Sequence, residues 1–186
     1  MAIIPGGTAN ILAIELNIPF DVASACNLIS NCKNIKTIDT GNINNEFFIL
    51  RVGMGFEADM VRGATRSLKN MIGGFAYGLS ALGAIFKSRN SIYKIKVDGV
   101  EFEEEGLSCI VANAGNIGIP GLSLSSRIKI DDGLLDVIVV QNANFFNMIP
   151  NAINNIEKWD KLISPLLHFS GKEISIEMSP PQKIQC

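Results

Sequence analysis

The chain has 186 residues, enough for one good core or for one domain with part of another. It is 47% hydrophobic and 18% charged with a formal net charge of -2, which excludes a disordered chain, and it carries no Lys/Arg run, so no nucleic acid is expected as a partner. Cys26, Cys32, Cys109 and Cys186 fit neither a zinc module nor a dense disulfide scaffold, so reduced thiols of a cytoplasmic protein are expected.

Residues 2–4 read as the end of a buried strand. Pro5-Gly6-Gly7-Thr8-Ala9-Asn10 makes a turn, and residues 11–16 read as a short helix ending before Pro19. Glycines and a threonine at a helix start leave backbone N–H groups free for a phosphate, which makes Gly7 and Thr8 candidates for contact with a nucleotide. Any strand-to-helix turn also favours these residues, and no Gly-Lys-Ser/Thr follows to make a P-loop. Asp21 is a candidate N-cap for a second helix over 22–32, with Ala23, Cys26, Leu28 and Ile29 as its apolar face. Near residue 36 the character changes from helix-rich to strand-rich. Residues 35–39 and 46–52 read as strands joined through 41–45. A domain boundary is therefore placed so that 1–36 is one unit and 37–186 another.

Gly53-Met54-Gly55-Phe56-Glu57-Ala58 has the form of a dinucleotide fingerprint, G-x-G-x-x-A. Its confirming context, a second strand ending in an acidic residue about 20 positions on, is absent, since residues 58–69 and 75–86 read as helices. The glycines fit a close helix–strand contact better. Residues 71–86 form the longest charge-free apolar stretch, shorter than the roughly 20 residues of a spanning helix, so no transmembrane segment is expected. Residues 91–97 and 100–104 flank Asp98-Gly99, a hairpin signal. Residues 107–112 read as a central strand, apolar on both faces. Residues 113–126 read as a long glycine-containing loop of the kind that is usually functional.

That loop leads to Asp131, Asp132 and Gly133, after which a strand runs to Val140 with Asp136 as its one polar interruption. Carboxylates and backbone carbonyls held at the mouth of a buried strand are what a hard cation such as Mg²⁺ requires. The same residues also fit an ordinary hairpin turn with solvated aspartates. Residues 144–159 read as a helix kinked or broken at Pro150. Residues 166–169 and 173–178 read as a final hairpin around Ser170-Gly171. His168, the single histidine, would have to serve any Ser-His-Asp triad, and its apolar neighbours favour a structural place instead.

Pro5 to Asn10 with Ile18-Pro19, Phe75-Ala76-Tyr77, Val97-Asp98-Gly99 and Asp131-Asp132-Gly133-Leu134-Leu135-Asp136, in that order, resemble the diacylglycerol kinase catalytic family, and most closely its soluble bacterial lipid kinases. Sphingosine and ceramide kinases are relatives. The resemblance implies an α+β fold: a mainly antiparallel β-sandwich-like domain with helices, preceded by a remnant of an α/β nucleotide-binding domain. It implies ATP and Mg as cofactors and a diacylglycerol-like lipid at a membrane surface as substrate, with the protein cytoplasmic and peripheral to the membrane. It implies that Thr8 touches the nucleotide phosphates, that Asp132 ligates magnesium beside the carbonyls of Lys129 and Leu134, and that Asp39 is an outer-shell acid. A homodimer is a further expectation, since exposed sheet edges are often paired.

The departures are specific. The family's Gly-Gly-Asp-Gly-Thr loop belongs upstream of Pro5, and its general base in a segment beyond Cys186, so no catalytic residue is assigned in this chain. Asn10 is followed by Ile11 in place of aspartate. The chain is thus read as a truncated lipid kinase, inactive as it stands. The competing reading is a non-catalytic β-sandwich module that binds lipid or protein.

Overall fold

The computed structural model describes residues 1–7, 9–31, 35–55, 90–141, 145, 148, 152, 155–181 and 184–185. Thr8, the expected helices over 58–69 and 75–86, and Pro150 lie outside the described residues.

Helix α1 (Ile11–Glu15) and helix α2 (Val22–Ser30) open the chain. Asp21 caps α2 by accepting the Ser24 N–H at 2.8 Å, as its residue type predicts. The expected apolar face needs correction. Ala25 is the buried residue of α2, Cys26 and Ile29 are half-buried, and Ala23 and Leu28 are exposed.

Strands β1 (Gly41–Ile43) and β2 (Glu46–Phe48) form a hairpin around Asn44-Asn45, both at positive φ. That pair of left-handed residues is a type I′ turn, which asparagine tolerates. The residues expected to join two strands thus supply a strand of their own, and residues 35–39 form none. Strand β3 (Arg51–Gly55) follows after a break at Ile49 and Leu50. Gly53 and Gly55 fall inside β3, with antiparallel partners on both sides for Gly53, which is no place for a pyrophosphate turn.

Strands β4 (Ser91–Val97) and β5 (Val100–Gly106) make the hairpin that Asp98-Gly99 signals, with both turn residues at positive φ. Strands β6 (Ser108–Ala112) and β7 (Leu135–Val140) come next. Helix α3 (Ile156–Ile163), strands β8 (Leu167–Gly171) and β9 (Ile174–Ser179), and strand β10 (Ile184–Gln185) complete the elements among the described residues. Asn155 begins α3 by accepting the Lys158 N–H at 3.2 Å. A helix start at this point fits the expected break between two short helices, while Pro150 itself lies outside the described residues.

Among the described residues the strands form two antiparallel sheets besides the β1–β2 hairpin: β10-β3-β6-β7-β8 and β5-β4-β9. They pack face to face through Met54, Cys109, Val137 and Val139 on one side and Tyr93, Ile95 and Val97 on the other. The opposite face of the larger sheet carries Ile110, Ala112, Ile138 and Val140. It is covered by Leu122 and Leu124 of the long loop, by Ile128 just after it, and by Trp159 and Leu162 of α3. Strands β6 and β7 are thus sandwiched on both faces, which explains their near-continuous apolar runs.

The expected final hairpin is not one. Strand β8 pairs with β7, whereas β9 pairs with β4 in the other sheet. Asp98 Oδ1 accepts the N–H groups of Lys172 (2.9 Å) and Glu173 (2.8 Å) where the chain crosses. A Cβ on Gly171 would lie 2.4 Å from Val97 Cγ1, so only glycine lets the chain pass there. Strand alternation marks both strands but does not say which sheet each one joins.

Burial of the Tyr93 phenol between the sheets pushes its pKa up to about 12, the nearby Cys109 adding to the effect and Ser91 opposing it. Up to about pH 10 folded and unfolded chains both hold this proton. Above it the unfolded chain ionises first, so stability is expected to fall between about pH 10 and pH 12. Urea unfolding across that range checks this, and Tyr93→Phe should flatten the decline.

Candidate metal turn

Residues 128–131 alternate in burial. Ile128 and Ile130 enter the core, while Lys129 and Asp131 point out. The segment is anchored by its isoleucines, and its carboxylates are left in solvent at the mouth of β7. Gly133 then takes φ +75°, a left-handed conformation that reverses the chain and that a residue with a Cβ would resist. Asp132 Oδ1 accepts the Leu134 N–H at 3.1 Å, closing an Asx turn.

Asp39 is brought to this turn from far away in sequence. Its Oδ2 accepts the Gly133 N–H at 2.6 Å, and its own N–H donates to the Ile130 carbonyl at 2.8 Å. Lys36 reaches Asp131 Oδ2 at 3.1 Å in an exposed pair, worth roughly 0–1 kcal/mol. So Lys129, Asp132, Leu134 and Asp39, named from sequence, occupy one place.

Among the described residues no group of three His, Cys, Asp or Glu side chains could hold a metal. Any ion here would rest on one carboxylate, backbone oxygens and water. The donor set fits that requirement. Among the described residues the carbonyls of Lys129 and Leu134 and the Oδ2 of Asp132 accept no hydrogen bond. Oxygen donors of this kind suit a hard cation that keeps several waters.

Gly7 is held within its own turn. Its N–H donates to Asn10 Oδ1 at 2.8 Å, and Asn10 Nδ2 donates back to the Gly7 carbonyl at 2.9 Å. The amide offered to a phosphate is thus engaged by a side chain. Helix α1 docks on the long loop, Glu15 Oε2 accepting the Asn116 N–H at 2.8 Å. Between α1, residues 18–20 and the loop lies an open groove of about 510 Å³, with Phe20, Asn116 and Ile128 in its wall.

Sequence reasoning missed the partners of Asp136. His168 Nε2 lies 2.6 Å from Asp136 Oδ1, and Ser170 Oγ donates to the same oxygen at 2.5 Å. The side chains of Asp136 and His168 are 3% and 2% exposed. This is not a hydrolytic triad. Serine and histidine converge on one carboxylate oxygen, and His168 Nδ1 is buried without a partner among the described residues. The single histidine is structural, as its setting predicts. The signal was available, because a buried aspartate needs a donor, Ser170 faces it across β7 and β8, and His168 lies two positions along β8 on the same face.

The family model of the YegS C-terminal NAD kinase beta sandwich-like domain matches residues 51–184. A Synechocystis protein of no described activity, sll0036, is 30% identical over 191 residues, spanning 99% of this chain and 43% of its own length. The diacylglycerol kinase of Bacillus subtilis is 28% identical over 151 residues, spanning 80% of this chain and 49% of its own length. The crystal structure of a diacylglycerol kinase from Bacillus anthracis superposes with a TM-score of 0.72 at 28% identity, covering 99% of this chain and 60% of that one. The chain thus spans about half the length of these relatives.

Proposed function

The chain belongs to the family of the YegS C-terminal NAD kinase beta sandwich-like domain, and on that premise we propose that it forms the β-rich part of an ATP- and Mg²⁺-dependent lipid kinase. The reaction moves the γ-phosphoryl group of ATP to the hydroxyl oxygen of a diacylglycerol-like lipid, releasing ADP and a proton. The acidic turn carries this reading, because Asp39 clasps a loop whose free oxygens suit a hard cation. A bound Mg²⁺ would supply positive charge near the transferring phosphate, the main demand of phosphoryl transfer. Asp132 and the Lys129 and Leu134 carbonyls would hold the ion, and Asp39 would hold the turn and orient metal-bound water. Thr8, with Gly7 before it, would approach the nucleotide phosphates. The protein would work at the cytoplasmic face of a membrane without spanning it. Among the described residues no helix is long and apolar enough to cross one.

None of the 186 residues is assigned as the general base. The chain assayed alone is therefore expected to transfer no phosphate. The test uses the natural protein that carries this sequence, radiolabelled ATP and mixed-lipid vesicles containing diacylglycerol. Label in phosphatidic acid is the expected result. Vesicle binding with no labelled lipid of any kind would sink the kinase reading and favour a lipid-binding module.

A further inference from the structure

We propose that Asn113 is the positioning residue of the acidic turn: its carboxamide sets the place of Asp39, and Asp39 sets the place of Gly133 and so of Asp132. As far as metal is concerned, the inference rests on the cation reading given above.

Asn113 stands just after β6 and is 0% exposed. Its Nδ2 donates to the Asp39 carbonyl at 2.9 Å and to the Ile49 carbonyl at 2.8 Å. Its backbone N–H donates to the Leu50 carbonyl at 2.9 Å. The two ends of the segment that carries the β1–β2 hairpin are thus tied to one side chain. From Asp39 two bonds pass on to the turn, at Ile130 and Gly133. Every bond along this path is 2.9 Å or shorter.

The chemistry singles out asparagine. A neutral amide offers two N–H donors on one nitrogen, and both are used on backbone carbonyls. Aspartate at this position would only accept, and would set a buried charge against two carbonyl oxygens. Leucine, of similar size, would leave both carbonyls unpaired. The Oδ1 of Asn113 is buried without a partner among the described residues, so the side chain acts through its donors. A core asparagine with a merely local role would have no reason to hold the residue whose carboxylate grips Gly133.

The test compares the wild-type chain with Asn113→Ala, and with Ile95→Val as a core substitution remote from the turn. The Gly133 amide is followed by ¹⁵N NMR and hydrogen exchange, and Mg²⁺ affinity by calorimetry. In Asn113→Ala the Gly133 proton should move upfield and exchange at least about 10-fold faster, and Mg²⁺ should bind about 10-fold more weakly, the low end of the roughly 10–100-fold range for outer-shell partners, since Asn113 acts one step further out through Asp39. Ile95→Val should leave both readouts in place. An unmoved Gly133 amide in Asn113→Ala, or an equal change in both variants, overturns the proposal. Should Asn113→Ala fail to fold, Asn113→Ser keeps one donor and should give an intermediate shift; a wild-type spectrum there overturns the proposal equally. If the wild type binds no Mg²⁺ while Gly133 still responds to Asn113→Ala, the cation reading falls and the positioning role stands.

Discussion

On the proposed kinase reading, Asp132→Asn is expected to weaken Mg²⁺ at the turn by about 100-fold or more and to lower phosphoryl transfer by the natural protein that carries this sequence by a similar factor. The size follows from comparison, since losing an outer-shell partner costs roughly 10–100-fold, and a direct ligand should cost no less. The substitution keeps the Asx turn, because the asparagine oxygen can still accept the Leu134 N–H now held at 3.1 Å. The fold should therefore be spared, and thermal unfolding should stay within about 2 °C of wild type. Calorimetric titration with Mg²⁺ reads the first effect, and radiolabelled transfer to diacylglycerol the second. Undiminished Mg²⁺ affinity in the variant would place the ion elsewhere and leave this turn an ordinary reversal with solvated aspartates.

Trp159→Ala has the largest expected effect on stability, about 3–5 kcal/mol. For a chain of this length that corresponds to a fall of roughly 6–20 °C in Tm. Trp159 is 2% exposed and packs among Leu122 and Leu124 of the long loop, Ile128 just after it and Ile138 of β7. Its Nε1–H donates to the Ser123 carbonyl at 2.8 Å, so it anchors the loop by a bond as well as by area. Trp159→Phe should keep most of the packing and lose that bond, costing about 1 kcal/mol more than the lost volume alone. Circular dichroism melts of both variants give the comparison. A Tm for Trp159→Ala within 2 °C of wild type would show that α3 is not the lid of this core.

Much of the fold could be read from residue patterns that report local conformation. Asp98-Gly99 marked its hairpin because type I′ turns demand positive φ at both residues. The near-continuous apolar runs of β6 and β7 marked a central and a buried strand because a strand covered on both faces has little polar side. The acidic turn was legible for the same kind of reason, since Asp131-Asp132-Gly133 is a self-contained local signal. What escaped was pairing at a distance. Nothing in residues 166–178 says that β8 and β9 join different sheets; that depends on Asp98, more than 70 positions away, capping the crossing. Asn113 read as the start of a loop because its partners, Asp39 and Ile49, are 74 and 64 positions distant. Asp136 read as an interruption in a strand, though its burial called for His168. Asp39 was located through the family resemblance, and its residue type alone gave no hint that it would grip Gly133.

The grip of Asp39 on Gly133 spans 94 positions. On a ribosome adding about 5–20 residues each second, Asp39 waits roughly 5–20 s before its partner is even synthesised. Until then the carboxylate has no turn to hold, and the strands that will frame it cannot pair. Antiparallel sheets joined by such distant contacts also close slowly, on the scale of milliseconds to seconds. The acidic turn is thus completed only after the β4–β5 hairpin has had time to form from neighbours in sequence. In a growing polypeptide the clasp between Asp39 and Gly133 exists only once both ends of that 94-position span have emerged.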